Sequence, residues 1–164
     1  MAQRYTIYNT KALIAAMLLG LILFIPGIGT ASQVDKIIAA PEPPEGIVFE
    51  VVSGDDDALD RLLPQIQKDI QRLRNRFPNL EIALVSHGIE QFALLSDETD
   101  EFKEVHELVQ NLGESDVPVH VCGTHASWQG KTDRDFPAYV DVAPSGPAQI
   151  NQYIELGYVL ILVD

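Results

Sequence analysis

Five short apolar runs separated by segments of helical periodicity constrain this chain most: Ile47–Val52, Glu81–Ser86, Val117–Cys122, Tyr139–Val142 and Tyr158–Val163. Strands that are apolar almost throughout, with helices between them, predict a parallel sheet covered on both faces. After the first run, Leu59, Leu62, Leu63, Ile66, Ile70, Leu73 and Phe77 recur at helical spacing. Asp57 stands at the cap position of that helix. Pro64 falls inside the pattern and predicts a kink or a later start, and Pro78-Asn79 ends it. Phe92–Leu95 is a brief apolar patch. A helix from about Thr99 buries Phe102, Val105, Leu108, Val109 and Leu112, with Gly113 closing it. Pro144-Ser-Gly-Pro147 leads into a last helix to Leu156, closed by Gly157. The fold class expected is α/β, a three-layer α/β/α arrangement around a mostly parallel five-stranded sheet. No internal repeat and no low-complexity tract is present.

The amino terminus reads as an export signal. Arg4 and Lys11 form a basic region, Ala12 to Ile25 is apolar with one glycine, and Pro26-Gly-Ile-Gly-Thr-Ala31 breaks the helix. Gly29 and Ala31 supply the small residues that a signal peptidase accepts. Residues 1–31 are therefore expected to be a cleaved signal peptide, with an uncleaved anchor as the alternative. The apolar run is short of the roughly 20 residues that span a bilayer. Residues 32–46, with Pro41, Pro43, Pro44 and Gly46, read as a linker, and residues 47–164 as the folded domain. The protein is expected to be exported to a periplasmic or other extracytoplasmic space. It has no membrane association unless the first segment is retained.

Cleavage after Ala31 removes 31 of 164 residues and leaves 133, a single-domain length. It removes Arg4 and Lys11 and no acidic residue, so the net charge moves from −13 to −15. That excess of acid excludes nucleic acid and anionic lipid as expected partners, because phosphate contact needs clustered Lys and Arg.

The chain has one cysteine, Cys122, at the end of Val117-Pro-Val-His-Val-Cys and before Gly123-Thr124-His125. One cysteine makes no internal disulfide, and a lone thiol in an exported chain suggests a reactive group or an intermolecular bond. A strand end opening into a helix favours a thiolate through N–H groups and the helix dipole. The carboxyl ends of parallel strands also hold the ligand sites of open α/β sheets. Three such ends carry chemistry: His87-Gly88, Cys122-Gly123-Thr124 and Ala143-Pro-Ser145-Gly146. The catalytic candidate is Cys122. The binding candidates are His87, Gly88, Gly123, Thr124, His125 and Ser145. Thr124 or Ser127 is expected to cap the helix after Cys122. His120 reads as a packed strand residue, Trp128 as core cover with a roof over the pocket as the alternative, and His106 as solvated. The Asp55–Asp57 run reads as a helix-start charge cluster.

Several segments resemble the DsrE/DsrF-like family of small α/β proteins related to sulfur-relay subunits. They are "VSHG" (Val85 to Gly88), "VPVHVCGT" (Val117 to Thr124) and "DVAPSGPAQINQYIELGYVLI" (Asp141 to Ile161). Together they cover about residues 46–164 in the family's order. The resemblance implies an α/β/α fold, homo- or hetero-oligomers and, in some members, persulfide transfer through the cysteine that Cys122 matches. Sulfur donor or acceptor proteins would then be partners. The export signal departs from the family's well-understood members, which resemble cytoplasmic proteins.

Two other classes use the same residues. One is a non-catalytic oligomeric interaction module. The other is a copper or zinc protein with Cys122, His125, His120 and His87 as ligands. No second cysteine or paired-histidine motif completes a metal site, so none is expected. The chain lacks a Gly-rich phosphate loop and a Gly-x-Ser-x-Gly elbow, and no cofactor is expected.

Overall fold

The computed structural model describes residues 32–164. The export-signal expectation falls on residues 1–31 and lies outside them. Residues Ser32–Asp164 form one compact unit. Among the described residues, no helix is long and apolar enough to cross a membrane.

The elements run α1 (Gln33–Ala39), β1 (Gly46–Val51), α2 (Ala58–Arg76), β2 (Glu81–Ser86), α3 (Lys103–Glu114), β3 (Val119–Cys122), α4 (Gly123–Trp128), β4 (Asp141–Ala143), α5 (Gly146–Glu155) and β5 (Tyr158–Val163). A 3-10 helix, Ile89–Leu94, follows β2. The five strands form one sheet in the order β4-β3-β2-β1-β5, and every pairing is parallel. The expected three-layer α/β/α fold is present.

Side-chain alternation divides the core between the two faces. Ile47, Phe49 and Val51 of β1 join Ile82, Leu84, Val119, Val121 and Ile161 under α2 and α3. Val48, Ala83 and Val85 point the other way and pack with Ile150 of α5. The α5 face is the thinner one. At the carboxyl edge of the sheet it leaves room for a cavity.

Several expectations are corrected. The linker expected at 32–46 contains α1: Ser32 and Asp35 form a capping box, and Val34 and Ile37 are buried in the core. The helix α2 runs through Pro64 without a break, and Asp57 occupies its cap position without a capping hydrogen bond from its side chain. The helix expected from Thr99 starts at Lys103 and continues through Gly113, and the left-handed residue after it is Asp116 (φ 55°). Gly157 (φ 89°) does end α5 as read.

Candidate functional site

The carboxyl ends of β1, β2 and β3 and the start of α5 surround a cavity of about 460 Å³. Its walls include Cys122, His87, Gly88, Thr124, His125 and Ser145. Six of the seven residues singled out in the sequence therefore face one space. The seventh, Gly123, packs against β4, where a Cβ would lie 3.1 Å from the Ala143 carbonyl oxygen. The strand pattern explains the convergence. Parallel strands end at one edge, so residues far apart in the chain meet there.

Cys122 is the last residue of β3 and the cap of α4. Its Sγ accepts the His125 N–H at 3.4 Å. The thiol itself therefore takes the capping role expected of Thr124 or Ser127. Thr124 instead holds the β4–α5 turn, donating from its Oγ1 and its N–H to the Pro144 carbonyl at 2.7 and 3.1 Å. Ser145 caps α5 by accepting the Ala148 N–H at 3.4 Å. Cys122 is 5% exposed and meets solvent through the cavity.

Both imidazoles are oriented. His125 Nδ1 lies 2.9 Å from the His87 carbonyl oxygen, which only accepts, so Nδ1 carries the proton. His87 Nε2 lies 2.8 Å from the Glu50 carboxylate and donates to it. His125 Nε2 and His87 Nδ1 make no hydrogen bond among the described residues. Trp128 packs its ring 5.6 Å from that of His125, yet it is 75% exposed. It borders the cavity instead of covering core, which corrects the sequence reading.

Behind the cavity wall, two residues of the 3-10 helix tie the strand ends together. Glu90 is fully buried, and its carboxylate accepts the Ser53 N–H (2.7 Å), the Gly88 N–H (2.9 Å) and the Ser86 hydroxyl (2.7 Å). Gln91, also buried, accepts the Cys122 N–H at 2.8 Å. Glu90 locks the end of β1 to the end of β2, and Gln91 locks the thiol-bearing residue to the same segment. Gly146 lets α5 approach the site, since a Cβ there would be 2.6 Å from His87 Cβ and 3.3 Å from Cys122 Cβ. Glu90, Gln91 and Glu50 belong to no sequence motif, and Gly146 enters only as part of the Ala143–Gly146 turn. Glu50 carried a signal: it is the one charged residue in the strand Gly-Ile-Val-Phe-Glu-Val.

The other histidines lie away from the cavity. His120 bonds the Tyr153 hydroxyl at 2.8 Å, and burial lowers its pKa against the opposing pull of Asp141. His106, expected in solvent, is 1% exposed. It sits between the Tyr139 hydroxyl (2.5 Å) and the Ala93 carbonyl (2.9 Å), and burial lowers its pKa. Among the described residues, the one group of three or more metal-ligating side chains within mutual reach is Asp55, Asp56 and Asp57, all exposed.

The fold and the cavity define a small parallel α/β protein with a thiol at the carboxyl edge of its sheet. The fold is similar to that of a protein of unknown function, MTH1491 from Methanobacterium thermoautotrophicum (TM-score 0.59, 20% identity, 71% of this chain and 97% of that one). It is also similar to that of the ychN protein from E. coli (TM-score 0.50, 17% identity, 72% and 99%). At such identities the likeness shows the fold alone. No family model and no curated protein matches the chain.

Proposed function

We propose that this is an exported, DsrE-like sulfur carrier acting through Cys122. The observation that carries the reading is the chain's sole thiol set into a cavity together with His87, His125 and Ser145. The ordered motifs around Val85–Gly88, Val117–Thr124 and Asp141–Ile161 support it.

The step conserves electrons. The Cys122 thiolate attacks the outer sulfur of a donor R–S–SH, an S–S bond forms to Cys122, and the donor's S–S bond breaks. R–S⁻ leaves and takes up a proton, while Cys122 becomes Cys–S–SH. Attack by an acceptor thiolate on that outer sulfur reverses the step. The N–H of His125 points at Cys122 Sγ, where it can stabilise negative charge that develops on the sulfur. The free ring nitrogens of His125 and His87 are the groups available to move the proton.

Incubation with a sulfane-sulfur donor should add one sulfur mass to the native protein, read by intact mass. Cys122→Ser should abolish the addition while the far-UV spectrum stays that of the wild type. A native protein that gains no sulfur, or a Cys122→Ser variant that gains it equally, sinks the reading.

The 5% exposure of Cys122 favours a second reading, an interaction module with an inert core thiol. Alkylation separates the two, since an inert thiol reacts only after denaturation. Self-association fits both readings. Ile154, Leu156 and Leu162 leave apolar side chains exposed at α5 and the edge strand β5, and sedimentation tests for the oligomer.

A further inference from the structure

We propose that the Cys122 cavity admits small, uncharged, apolar organosulfur compounds and excludes anionic ones. The inference rests on Cys122 being the reacting group and adds the class of molecule that reaches it.

The volume of about 460 Å³ falls within the range of small-molecule sites. Val52, Ile89, Trp128 and Pro147 give it apolar walls. Val52 is 42% exposed and Trp128 75%, so apolar surface stands in water at the rim. A ligand that covers these two side chains removes that surface from solvent.

The charges point the same way. Among the described residues, no lysine or arginine lines the cavity. His87 faces Glu50, so any charge on its ring is balanced inside the pair. Polar donors are already committed to the protein. The Thr124 hydroxyl donates to Pro144 and His125 Nδ1–H donates to His87. The exposed Asp55–Asp57 run follows Ser53 on the cavity wall, and the whole chain carries −13. An anion entering here would lose water without gaining a counter-charge and would move against the field of the protein. Thiosulfate and carboxylate-bearing persulfides belong to the excluded class. In the transfer from R–S–SH to Cys122, with R–S⁻ leaving, R is an uncharged alkyl or aryl group.

Two methanethiosulfonate reagents test this, with neutral benzyl and anionic sulfonatoethyl groups. In each, the Cys122 thiolate attacks the sulfenyl sulfur, a disulfide forms and methanesulfinate leaves. Labelling rates of the purified protein, native and unfolded in guanidinium, are read by intact mass. The native-to-unfolded rate ratio should be higher for the benzyl reagent than for the anionic one, by about tenfold or more. Trp128→Ala should shrink that advantage. An anionic ratio equal to the benzyl ratio overturns the proposal, as does no native labelling by either reagent, or an advantage untouched by Trp128→Ala. Selective labelling without sulfane-sulfur uptake sinks the carrier reading and upholds this one. Sulfur uptake without charge discrimination sinks this one alone.

Discussion

One hydrogen atom keeps the cavity open at Gly146. A Cβ at this position would press on His87 Cβ at 2.6 Å and on Cys122 Cβ at 3.3 Å, and both are anchored on the sheet edge. Helix α5 would have to lift. Gly146→Ala should therefore destabilise by about 1–3 kcal/mol, the usual range for overpacking. It should also slow labelling of Cys122, and a urea melt paired with labelling kinetics checks both. Glu90 works by the opposite means, through contacts made. Its buried carboxylate accepts three donors, and Gly88 must lack a side chain because a Cβ would fall 2.2 Å from Glu90 Oε2. Glu90→Gln turns one acceptor into an N–H that faces other donors. The expected loss is about 1–3 kcal/mol for the group left unsatisfied. Because Gln91 is the next residue and holds the Cys122 N–H, the loss should reach the thiol as a changed labelling rate. A Glu90→Gln protein with wild-type melting and wild-type labelling would contradict the clamp.

Elements were legible where burial alone decided them. The strand runs around Ile47, Ile82, Val119 and Val159 are nearly all apolar, and the stripe from Leu59 to Leu73 has a single period. The candidate site was legible because residues at strand ends share an edge in any parallel sheet. What escaped depended on tertiary partners. His106 reads as polar on a helix, but Ala93 and Tyr139, distant in the chain, satisfy it inside the core. Glu90 and Gln91 read as ordinary polar residues before the Phe92–Leu95 patch until the ends of β1 and β3 arrive beside them. The helix α1 was hidden by the prolines that follow it, though Ser32-Gln-Val-Asp35 is a readable capping box. That helix is short, so its cap counts. Ser32→Ala should lower stability by about 1 kcal/mol. The fall should appear in the unfolding midpoint, with Cys122 labelling unchanged, since α1 takes no part in the cavity wall.

Across the whole molecule, a buried histidine and a half-buried one join the layers. His106 binds α3 to the 3-10 helix that carries Glu90 and Gln91, through Ala93, and reaches Tyr139 before β4. His120 binds β3 to α5 through Tyr153 on the opposite face. Burial is the first cause of a lowered pKa in both, set against Ala93 for His106 and Asp141 for His120. The sign follows from linkage. A histidine held neutral in the fold takes up its proton more readily in the unfolded chain, near the ordinary value of about 6.5. Its contribution to stability is full above that pH and is lost as the pH falls through the depressed folded value. The lowered carboxyls Asp35 and Asp135 act further down, because their ordinary value is 3.8. A loss of stability between pH 7 and about 5 therefore belongs to the histidines. Urea unfolding across that range should show a flat free energy above pH 7 and a falling one below about 6.5. His106→Gln and His120→Gln should each lower stability at pH 7 and flatten the slope, because each removes one proton from the unfolding equilibrium. A slope that survives both substitutions would mean that another group carries it, and that the layers are not joined through these two imidazoles.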